Sequence, residues 1–372
     1  MKVLQILPEM NAGGVERGTL EIGRYLVQHG HEALVVSNGG RMVIQLEAAG
    51  VRHMAMPVHR KRLGSLFQVR PVRRLLEAER PDILHIRSRV PGWIAWLAWR
   101  KLNPTQRPKF VSTVHGFYSV NAYSAVMTKG ERVIAVSESI RDYITTNYPH
   151  TPKEIIRVIP RGIEPADYPR GFQPDTAWLA TWRKDFPQLV GKCVLTLPGR
   201  ITRLKGHEDF LRLLATLIAG GQTVHGLIVG DVHPKKREYL DELRALTEQL
   251  KLTPHVTFTG HRSDLREILS VSDIVLSLST QPEAFGRTTL EALALGRPVV
   301  AYAHGGVGEQ LEASFPAGAV GVGDMNSLVA ATTRLIRHPE SPGPVRREFT
   351  LEAMVESTLA VYREVLAAGA SA

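Results

Sequence analysis

Short β-rich runs alternate with longer helical patterns along the chain, and the alternation occurs as two complete series. This order of elements builds parallel sheets in which a helix connects each strand to the next. The sequence therefore predicts an α/β fold with two sheets. The predicted strands are, in chain order, residues 3–7, 33–37, 83–86, 110–114, 133–136 and 157–159 in the first series, and 194–197, 224–229, 256–259, 274–278 and 298–302 in the second.

A proline-rich segment separates the two series. Residues 164–174 contain three prolines and one glycine, and neither a helix nor a central strand continues through such a segment. The length of 372 residues also exceeds what one hydrophobic core usually organises. We predict two Rossmann-like doubly wound domains, residues 1–172 and 173–372, that face each other across a cleft. The last helix is a candidate for packing back on the first domain.

The cysteine content and the N-terminus predict a location in the cytoplasm. The single cysteine, Cys193, cannot form an intramolecular disulfide, and no Cys/His cluster has the spacing of a structural zinc site. Residues 1–8 lack the basic region and the cleavage site of a secretion signal. The tryptophan-bearing apolar run 93–99 is much shorter than the roughly 20 residues that span a bilayer.

All of the excess positive charge lies in the first predicted domain. Residues 1–172 contain 25 Lys and Arg against 14 Asp and Glu, whereas the remainder contains 21 against 22. The densest basic run is 59–62, and Arg70, Arg73 and Arg74 follow it. Such one-sided charge suits an anionic lipid surface or nucleic acid, although a solvated helix face explains it equally well. No aromatic platform for base stacking is interleaved with these residues, so we expect no nucleic-acid partner.

The segment 281–300 is the most informative about chemistry. It follows an apolar strand, turns at Pro282 and then has the apolar spacing of a helix. Gly286 permits close approach of a ligand to the start of that helix. The amides of the first turn lie at the positive end of the helix dipole and form a ready phosphate site. The residues that supply these amides are Phe285, Gly286, Arg287 and Thr288.

Two carboxylates flank this predicted anion site. Glu283 lies just before the helix and Glu291 lies two turns into it. A carboxylate accepts two hydrogen bonds side by side, so one of them can bind the ribose diol and the other a pair of sugar hydroxyls. The spacing is common, however, and a helix cap at Glu283 with a surface residue at Glu291 is an equally good interpretation.

Two cations occupy the loop that follows the first strand of the second domain. Arg200 and Lys205 lie between predicted strand 194–197 and a predicted helix at 210–218. This loop lies at the carboxyl edge of the sheet, where α/β folds bind ligands, and the two cations can converge there on a diphosphate. Simple solvation of both side chains is the alternative. We expect the active site between the two domains.

These motifs together resemble family 4 of the retaining glycosyltransferases, which have the GT-B fold. The resemblance covers almost the whole chain. It implies an enzyme that moves a hexose-type sugar from a nucleotide diphosphate, such as a UDP-sugar, to an acceptor. The residues that carry it are Gly199-Arg200-x4-Lys205-Gly206, Pro282-Glu283-x-Phe285-Gly286-x4-Glu291, Gly13-Gly14, Val114-His115-Gly116, Val136-Ser137 and Ile159-Pro160-Arg161-Gly162-Ile163.

The resemblance also implies roles for the matching residues in the second domain. Arg200 and Lys205 are expected to hold the donor diphosphate, and Glu283 is expected to contact the transferred sugar. Glu291 is expected to bind the ribose hydroxyls. Arg262 lies where the base is expected, although the family binds the base largely through main-chain contacts.

In the first domain, the resemblance implies roles for two further residues. Gly14 is expected to let its loop approach the phosphate, and His115 is expected to lie beside the sugar and to belong, with Arg200, Lys205 and Glu283, to the catalytic group. The family usually has Pro-Asn-Gly where this chain has Pro160-Arg161-Gly162. A second departure is Gly230-Asp231, which replaces a glycine pair and is followed by the basic run 232–236.

The mechanism is expected to need no metal and no cofactor. The chain contains no Asp-x-Asp, the pair with which another glycosyltransferase architecture holds a divalent cation. Charge on the leaving diphosphate must then be neutralised by protein groups. By resemblance, the acceptor attacks from the face that the diphosphate leaves, so the anomeric configuration is retained.

Two other functions use the same features. A nucleotide-sugar 2-epimerase shares the fold, and a non-catalytic nucleotide-sugar-binding protein would keep the same pocket. A dehydrogenase is disfavoured because residues 11–18 do not spell Gly-x-Gly-x-x-Gly and no acidic residue ends the second strand.

The acceptor is expected on the first domain. Trp93, Trp96 and Trp99 share one side of a helix, either as core or as a membrane-facing surface. Together with the basic run, they favour a glycolipid or lipopolysaccharide precursor of the cell envelope over a free saccharide. The enzyme would then be peripheral at the inner face of the membrane.

Overall fold

The computed structural model describes residues 1–11, 13–232 and 237–370. The basic run 232–236 therefore falls largely outside the described residues, since only its first residue, Val232, is included. The chain divides into two units, Met1–Gly162 with Leu351–Ala372, and Ile163–Thr350. No helix in the described ranges is long and apolar enough to cross a membrane.

The first unit is built on a seven-stranded sheet whose strands are all parallel, with the order β3-β2-β1-β4-β5-β6-β7. Its strands are β1 (Lys2–Ile6), β2 (Glu32–Ser37), β3 (Arg52–Ala55), β4 (Ile83–Ile86), β5 (Lys109–Val114), β6 (Arg132–Ala135) and β7 (Ile156–Val158). Its helices are α1 (Gly14–Gln28), α2 (Val43–Ala48), α3 (Val69–Glu79), α4 (Arg89–Arg100), α5 (Glu138–Asn147) and the last helix of the chain, Leu351–Ala370. Short 3₁₀ helices include Leu63–Gln68 and Ser124–Thr128.

The second unit contains a six-stranded parallel sheet with the order β10-β9-β8-β11-β12-β13. Its strands are β8 (Cys193–Pro198), β9 (Val224–Val229), β10 (Val256–Gly260), β11 (Ile274–Ser277), β12 (Val299–Tyr302) and β13 (Ala319–Val320). Its helices are α6 (Thr176–Asp185), α7 (His207–Ala219), α8 (Arg237–Gln249), α9 (Leu265–Ser270), α10 (Arg287–Ala294), α11 (Gly305–Ser314) and α12 (Met325–Arg337). A 3₁₀ helix, Arg203–Lys205, precedes α7.

All eleven predicted strands are present, with ends that differ from the prediction by one residue at most. They were predictable because parallel strands covered on both faces are continuous apolar runs, as in the fully buried β4 and β9. Two edge strands were missed. β3 has only partly buried and exposed side chains, and β13 is two residues long, so neither has a clear apolar pattern.

The last helix of the chain, which we number α13, packs in the first unit. The Tyr362 hydroxyl hydrogen-bonds His85 Nδ1 over 2.6 Å in the core of that unit. The Glu364 carboxylate pairs with Arg132 at 2.9 Å and with Arg157 at 2.5 Å. A buried tyrosine bond and two ion pairs therefore fix this helix against the sheet, although it follows the second unit in the sequence.

The proline-rich segment packs with the second unit, so the structure divides the chain near residue 162 and not at 172. Ile163 pairs with Thr350, and the Gly171 N–H donates to the Leu295 carbonyl over 3.1 Å. Tyr168 and Phe172 pack against the second hydrophobic core. These two aromatic side chains draw the segment onto that core, which explains why composition alone misplaced the boundary.

Candidate active site

The strand order of the second unit brings two loops together. The chain runs from β8 outward to β9 and β10, and then returns to the other side of β8 with β11. The loops after β8 and β11 therefore begin at the carboxyl ends of neighbouring strands. This is a topological switch point, where α/β sheets bind ligands. The first loop holds Arg200 and Lys205, and the second holds Glu283.

An ion pair joins these two loops. Lys205 Nζ lies 2.7 Å from Glu283 Oε1, and the Ser279 hydroxyl donates to the same oxygen. His304 Nε2 in turn donates to the Ser279 carbonyl over 2.7 Å. Burial acts to raise the pKa of the Glu283 carboxyl, but the Lys205 charge and the hydrogen bonds from Lys205 and Ser279 hold it below its usual value. Glu283 is therefore a carboxylate at neutral pH.

The ion pair shares a cavity with the start of α10. This cavity of about 40 Å³ is lined by Gly199, Lys205, Glu283, Gly286 and Thr288, among others. The α10 helix begins at Arg287, and the first-turn amides of a helix have no partner within it. A cation, a carboxylate and a helix N-terminus thus converge in the second unit, as the sequence predicts.

Gly286 is required by the local geometry. Its φ is 86°, and a Cβ at this position would lie 2.4 Å from Val307 Cγ2. Both the left-handed backbone and the contact with α11 exclude larger residues. The neighbouring Phe285 is predicted to contribute its main-chain amide to a ligand. Its ring is buried against Phe349 at a centroid distance of 6.0 Å, so only its main chain can serve a ligand.

Glu291 lies outside the cavity that holds Glu283. Its side chain is buried on α10, and its Oε1 accepts hydrogen bonds from the Tyr168 hydroxyl over 3.0 Å and from Arg287 Nε over 3.1 Å. This carboxylate is thus held in place by two donors, and it is not the exposed surface residue that the alternative interpretation requires. The position of Arg287 is also explained, since its guanidinium orients Glu291.

The two remaining predicted arginines of this unit differ from each other. Arg200 is exposed and has no hydrogen bond or ion pair within the described part of the chain. Arg262 is engaged with Asp264, through Nε to Oδ1 at 2.9 Å and Nη2 to Oδ2 at 2.5 Å. Its guanidinium also lies 5.7 Å from the Trp182 ring centroid. Arg262 therefore stabilises its own loop, whereas Arg200 is available to a ligand.

In the first unit, Arg161 contacts the start of α1. Its Nη2 donates to the Gly14 carbonyl over 2.8 Å, and its Nη1 lies 3.6 Å from Met354 Sδ on α13. A Cβ at Gly18 would lie 1.8 Å from Arg161 Nη2. Arg161, which departs from the family pattern, thus fits because residue 18 on α1 is a glycine. Its guanidinium holds the main chain at Gly14.

His115 lies among cations in the first unit. Its Nε2 is buried and has no hydrogen-bond partner in the described part of the chain, and its backbone N–H donates to the Tyr118 hydroxyl over 3.2 Å. Burial, together with the charges of Arg161 and Arg87, lowers the pKa of His115 well below its usual value. The imidazole is therefore neutral at pH 7. Its Nε2 can donate one hydrogen bond to a hydroxyl group or accept one from it, depending on the tautomer.

Arg87 is a candidate functional residue that the sequence analysis missed. It follows β4 at the switch point of the first sheet, is 1% exposed, and bonds Gln5 Oε1 over 3.0 Å. Its Nε and Nη2 have no partner among the described residues. Burial lowers its pKa to about 10, so it remains charged at neutral pH. Buried unsatisfied donors of this kind commonly await a ligand, but nothing in the local sequence distinguishes this arginine from its many neighbours.

Ser279, His304 and Tyr168 were also missed. Each acts by orienting a carboxylate or its neighbour. Tyr168 and His304 are distant in the sequence from their partners, whereas Ser279 lies four residues before Glu283 but belongs to none of the motifs used above. Within the described ranges, no group of three or more His, Cys, Asp or Glu side chains could hold a metal ion.

Gly14→Ala should separate a structural role from a ligand-binding role. A Cβ at Gly14 meets nothing within 4 Å, and alanine favours the helix that begins there. We expect an unchanged or higher melting temperature, with kcat/KM for the donor lowered by about 10-fold or more, because misplacement of a bound phosphate is costly.

Gly13→Ala is the matched control. The φ of Gly13 is 138°, which strains any other residue, so this variant should lower the melting temperature. Full activity of Gly14→Ala would contradict the predicted approach of its loop to the phosphate.

Comparisons with known proteins match both halves of the chain to glycosyltransferase domains. Residues 12–167 match the domain described as Glycosyltransferase Family 4, and residues 180–349 match the domain described as Glycosyl transferases group 1. The N-acetyl-alpha-D-glucosaminyl L-malate synthase of Bacillus anthracis is 24% identical over 385 residues, which cover 96% of this chain and 95% of that protein.

Solved structures give the same result. The crystal structure of a glycosyltransferase from Rickettsia africae ESF-5 is 28% identical, with a TM-score of 0.84 and 98% of both chains covered. That of Anabaena HepE in complex with UDP and glucose is 20% identical, with a TM-score of 0.77 and 100% of both chains covered. The chain therefore belongs to the GT-B glycosyltransferases in which a Glycosyltransferase Family 4 domain precedes a group 1 domain.

Proposed function

We propose that this protein is a retaining, metal-independent hexosyltransferase that moves a sugar from a nucleotide diphosphate to a lipid-linked acceptor. The observation that carries the proposal is the Lys205–Glu283 ion pair beside the first turn of α10. The ammonium group and the helix N-terminus suit a diphosphate, and the adjacent carboxylate suits sugar hydroxyls.

The chemistry follows from where charge develops. As the glycosidic bond of the donor breaks, negative charge accumulates on the diphosphate, and Lys205 with the α10 amides stabilises it. Glu283 is ionised and accepts hydrogen bonds from the sugar. The acceptor oxygen attacks from the face that the diphosphate leaves, a phosphate oxygen takes the acceptor proton, and the anomeric configuration is retained.

UDP is the first donor nucleotide to test. HepE, a structural neighbour of this chain, was crystallised with UDP and glucose. A panel of UDP-, GDP- and ADP-sugars with EDTA present, read by thermal shift, tests the proposal because a specific ligand raises apparent stability. No stabilisation by any donor would contradict it.

Analysis of the products formed from the same panel separates the other functions that share this site. A 2-epimerase would turn over the donor without an acceptor and release an isomerised sugar. A non-catalytic binding protein would be stabilised and yield no product.

The first unit supports an acceptor presented at an anionic membrane. Arg60, Lys61 and Arg62 are exposed, and the adjacent 3₁₀ helix exposes Leu66 by 50% and Phe67 by 82%. Cations beside exposed apolar side chains suit the interface of an anionic bilayer. The proposed acceptor is a glycolipid or lipopolysaccharide precursor, with the enzyme peripheral at the inner face of the membrane.

Replacing Arg60, Lys61 and Arg62 by Ser should release the protein from anionic vesicles. Each basic residue near an anionic surface contributes about 1 kcal/mol, so the triple variant should bind about 100-fold more weakly. Cosedimentation with phosphatidylglycerol and phosphatidylcholine vesicles, at low and high salt, measures this effect.

A matched control carries the same loss of charge in the second unit, with Ser at Arg183, Lys184 and Lys192. It should bind as the unchanged protein does. Equal binding to both lipids, or to neither, would leave the basic run without this role and favour a soluble acceptor.

A further inference from the structure

A groove of about 410 Å³ lies in the first unit, and none of the residues that line it is assigned above to the donor. One wall is α4, which contributes Val90, Trp93 and Leu97. The other side includes Leu66 of the 3₁₀ helix Leu63–Gln68. The volume falls within the roughly 300–1,000 Å³ of ligand-binding clefts.

The wall formed by α4 is apolar for a reason that the sequence makes visible. Val90, Trp93, Ile94 and Leu97 have the spacing i, i+3, i+4 and i+7, which places them on one face of the helix. Ile94 is buried, but Leu97 is only partly covered and Leu66 is 50% exposed. The chain therefore leaves an apolar surface along this face that its own side chains do not fill.

The tryptophans of α4 are not a free aromatic face. Trp93 Nε1 donates to the Tyr123 carbonyl and Trp99 Nε1 to the Pro108 carbonyl, each over 2.7 Å. Trp96 packs edge-on against Trp93, with ring centroids 5.3 Å apart. The hydrogen bond to Tyr123 and the contact with Trp96 hold the Trp93 ring in place. This side of the groove therefore has a fixed shape that can select a ligand.

Positive charge borders the same groove. Arg60, Lys61 and Arg62 all line it, and all three are exposed. Lys61 Nζ lies 4.7 Å from the centroid of the Tyr123 ring, which is also part of the lining. None of the described side chains that line it is acidic. An occupant that combines a hydrocarbon portion with an anionic group would use both features, since a neutral chain would make no use of the cations and a free anion would leave the apolar walls uncovered.

We propose that this groove binds one hydrocarbon chain of a phosphate-bearing lipid acceptor, with Arg60, Lys61 and Arg62 binding its phosphate. This inference rests on the proposed function and names the part of the acceptor that the enzyme recognises. The cations then have a second task beyond surface attraction, because they hold one lipid molecule whose chain lies between Leu66 and Leu97.

Binding of dodecyl phosphate, kept below its micellar concentration, tests the proposal on the full chain by calorimetry. Dodecyl maltoside supplies a chain without an anion, and inorganic phosphate supplies the anion without a chain. We expect dodecyl phosphate to bind at least 10-fold more tightly than either. Equal binding of dodecyl maltoside, equal binding of inorganic phosphate, or no binding of dodecyl phosphate would overturn the proposal.

Substitutions in the groove test whether dodecyl phosphate binds there. Leu97→Trp fills the groove and Leu66→Glu places a carboxylate beside the cations, and each should weaken dodecyl phosphate binding by at least 10-fold. Leu66 is half exposed, so its variant should fold even if Leu97→Trp does not. Val190→Trp, at a site that is 68% exposed in the second unit, is the control and should bind normally. Unchanged binding by folded Leu66→Glu would reject this groove as the site.

Measurement of UDP-sugar binding distinguishes failure of the groove proposal from failure of the proposed function. UDP-sugar binding is assigned to no residue that lines the groove and should be unaltered in Leu66→Glu and Leu97→Trp. Retained donor binding without dodecyl phosphate binding would refute the groove alone. Absence of any nucleotide-sugar binding in the unchanged protein would instead refute the proposed function.

Discussion

Lys205→Ala is expected to lower the turnover number by about 100-fold or more, because it removes a charge that stabilises the leaving diphosphate. Its ammonium group lies 2.7 Å from Glu283 Oε1, and both residues line the cavity at the start of α10. Arg200→Ala should have an effect of the same order. Single-turnover transfer from the donor identified by the nucleotide-sugar panel is the measurement.

The two variants differ in what they do to the protein itself. Arg200 has no partner among the described residues, so its replacement should leave the melting temperature unchanged. Lys205→Ala removes the cation from a largely buried carboxylate, and the unpaired charge should lower the melting temperature. The double variant Lys205→Ala with Glu283→Gln removes that charge as well, so it should regain stability but not transfer, because Glu283 is expected to contact the sugar. Full turnover by folded Lys205→Ala would contradict the role of Lys205 at the diphosphate.

Activity of the unchanged protein should also survive EDTA. The charges that replace a metal are the Lys205 ammonium, the Arg200 guanidinium and the α10 amides. Strict dependence of transfer on added magnesium or manganese would contradict the metal-independent mechanism.

The second large effect concerns Glu283 and Glu291, which we expect to bind different parts of the donor. Glu291 is expected to bind the ribose and Glu283 the transferred sugar. Glu291→Ala should weaken binding of free UDP by about 10- to 100-fold, because a hydrogen bond to a charged group contributes about 1.5–3 kcal/mol. Glu283→Ala should spare UDP binding and abolish transfer, because its partner is the sugar. Calorimetric titration of UDP against both variants measures the division.

Tyr168→Phe is the control for Glu291. It removes the 3.0 Å hydrogen bond that orients the carboxylate while leaving the carboxylate itself. We expect a smaller loss of UDP affinity than for Glu291→Ala. Equal UDP binding by Glu283→Ala and Glu291→Ala would show that the assigned division is wrong.

Part of this site is predictable because it depends on local sequence. The turn at Pro282, the glycine at 286 and the apolar spacing that follows specify a strand, a loop and a helix within a single segment, and the structure has all three. The resemblance supplied roles for Arg200, Lys205, Glu283 and Glu291. It gave no indication that Arg262 would be engaged by Asp264, because that contact depends on how the loop between β10 and α9 folds.

The sequence by itself determined eleven strands of the two sheets, because burial on two faces imposes a continuous apolar run that is visible residue by residue. It did not determine the edge strands β3 and β13, which lack such a run. Only the tertiary structure decided which distant groups meet. Lys205 and Glu283 are 78 residues apart and become neighbours because β11 returns beside β8. His85 and Tyr362 are 277 residues apart and meet because α13 packs against the first sheet. Strand order and helix docking set these contacts, and neither leaves a periodic signal in the chain.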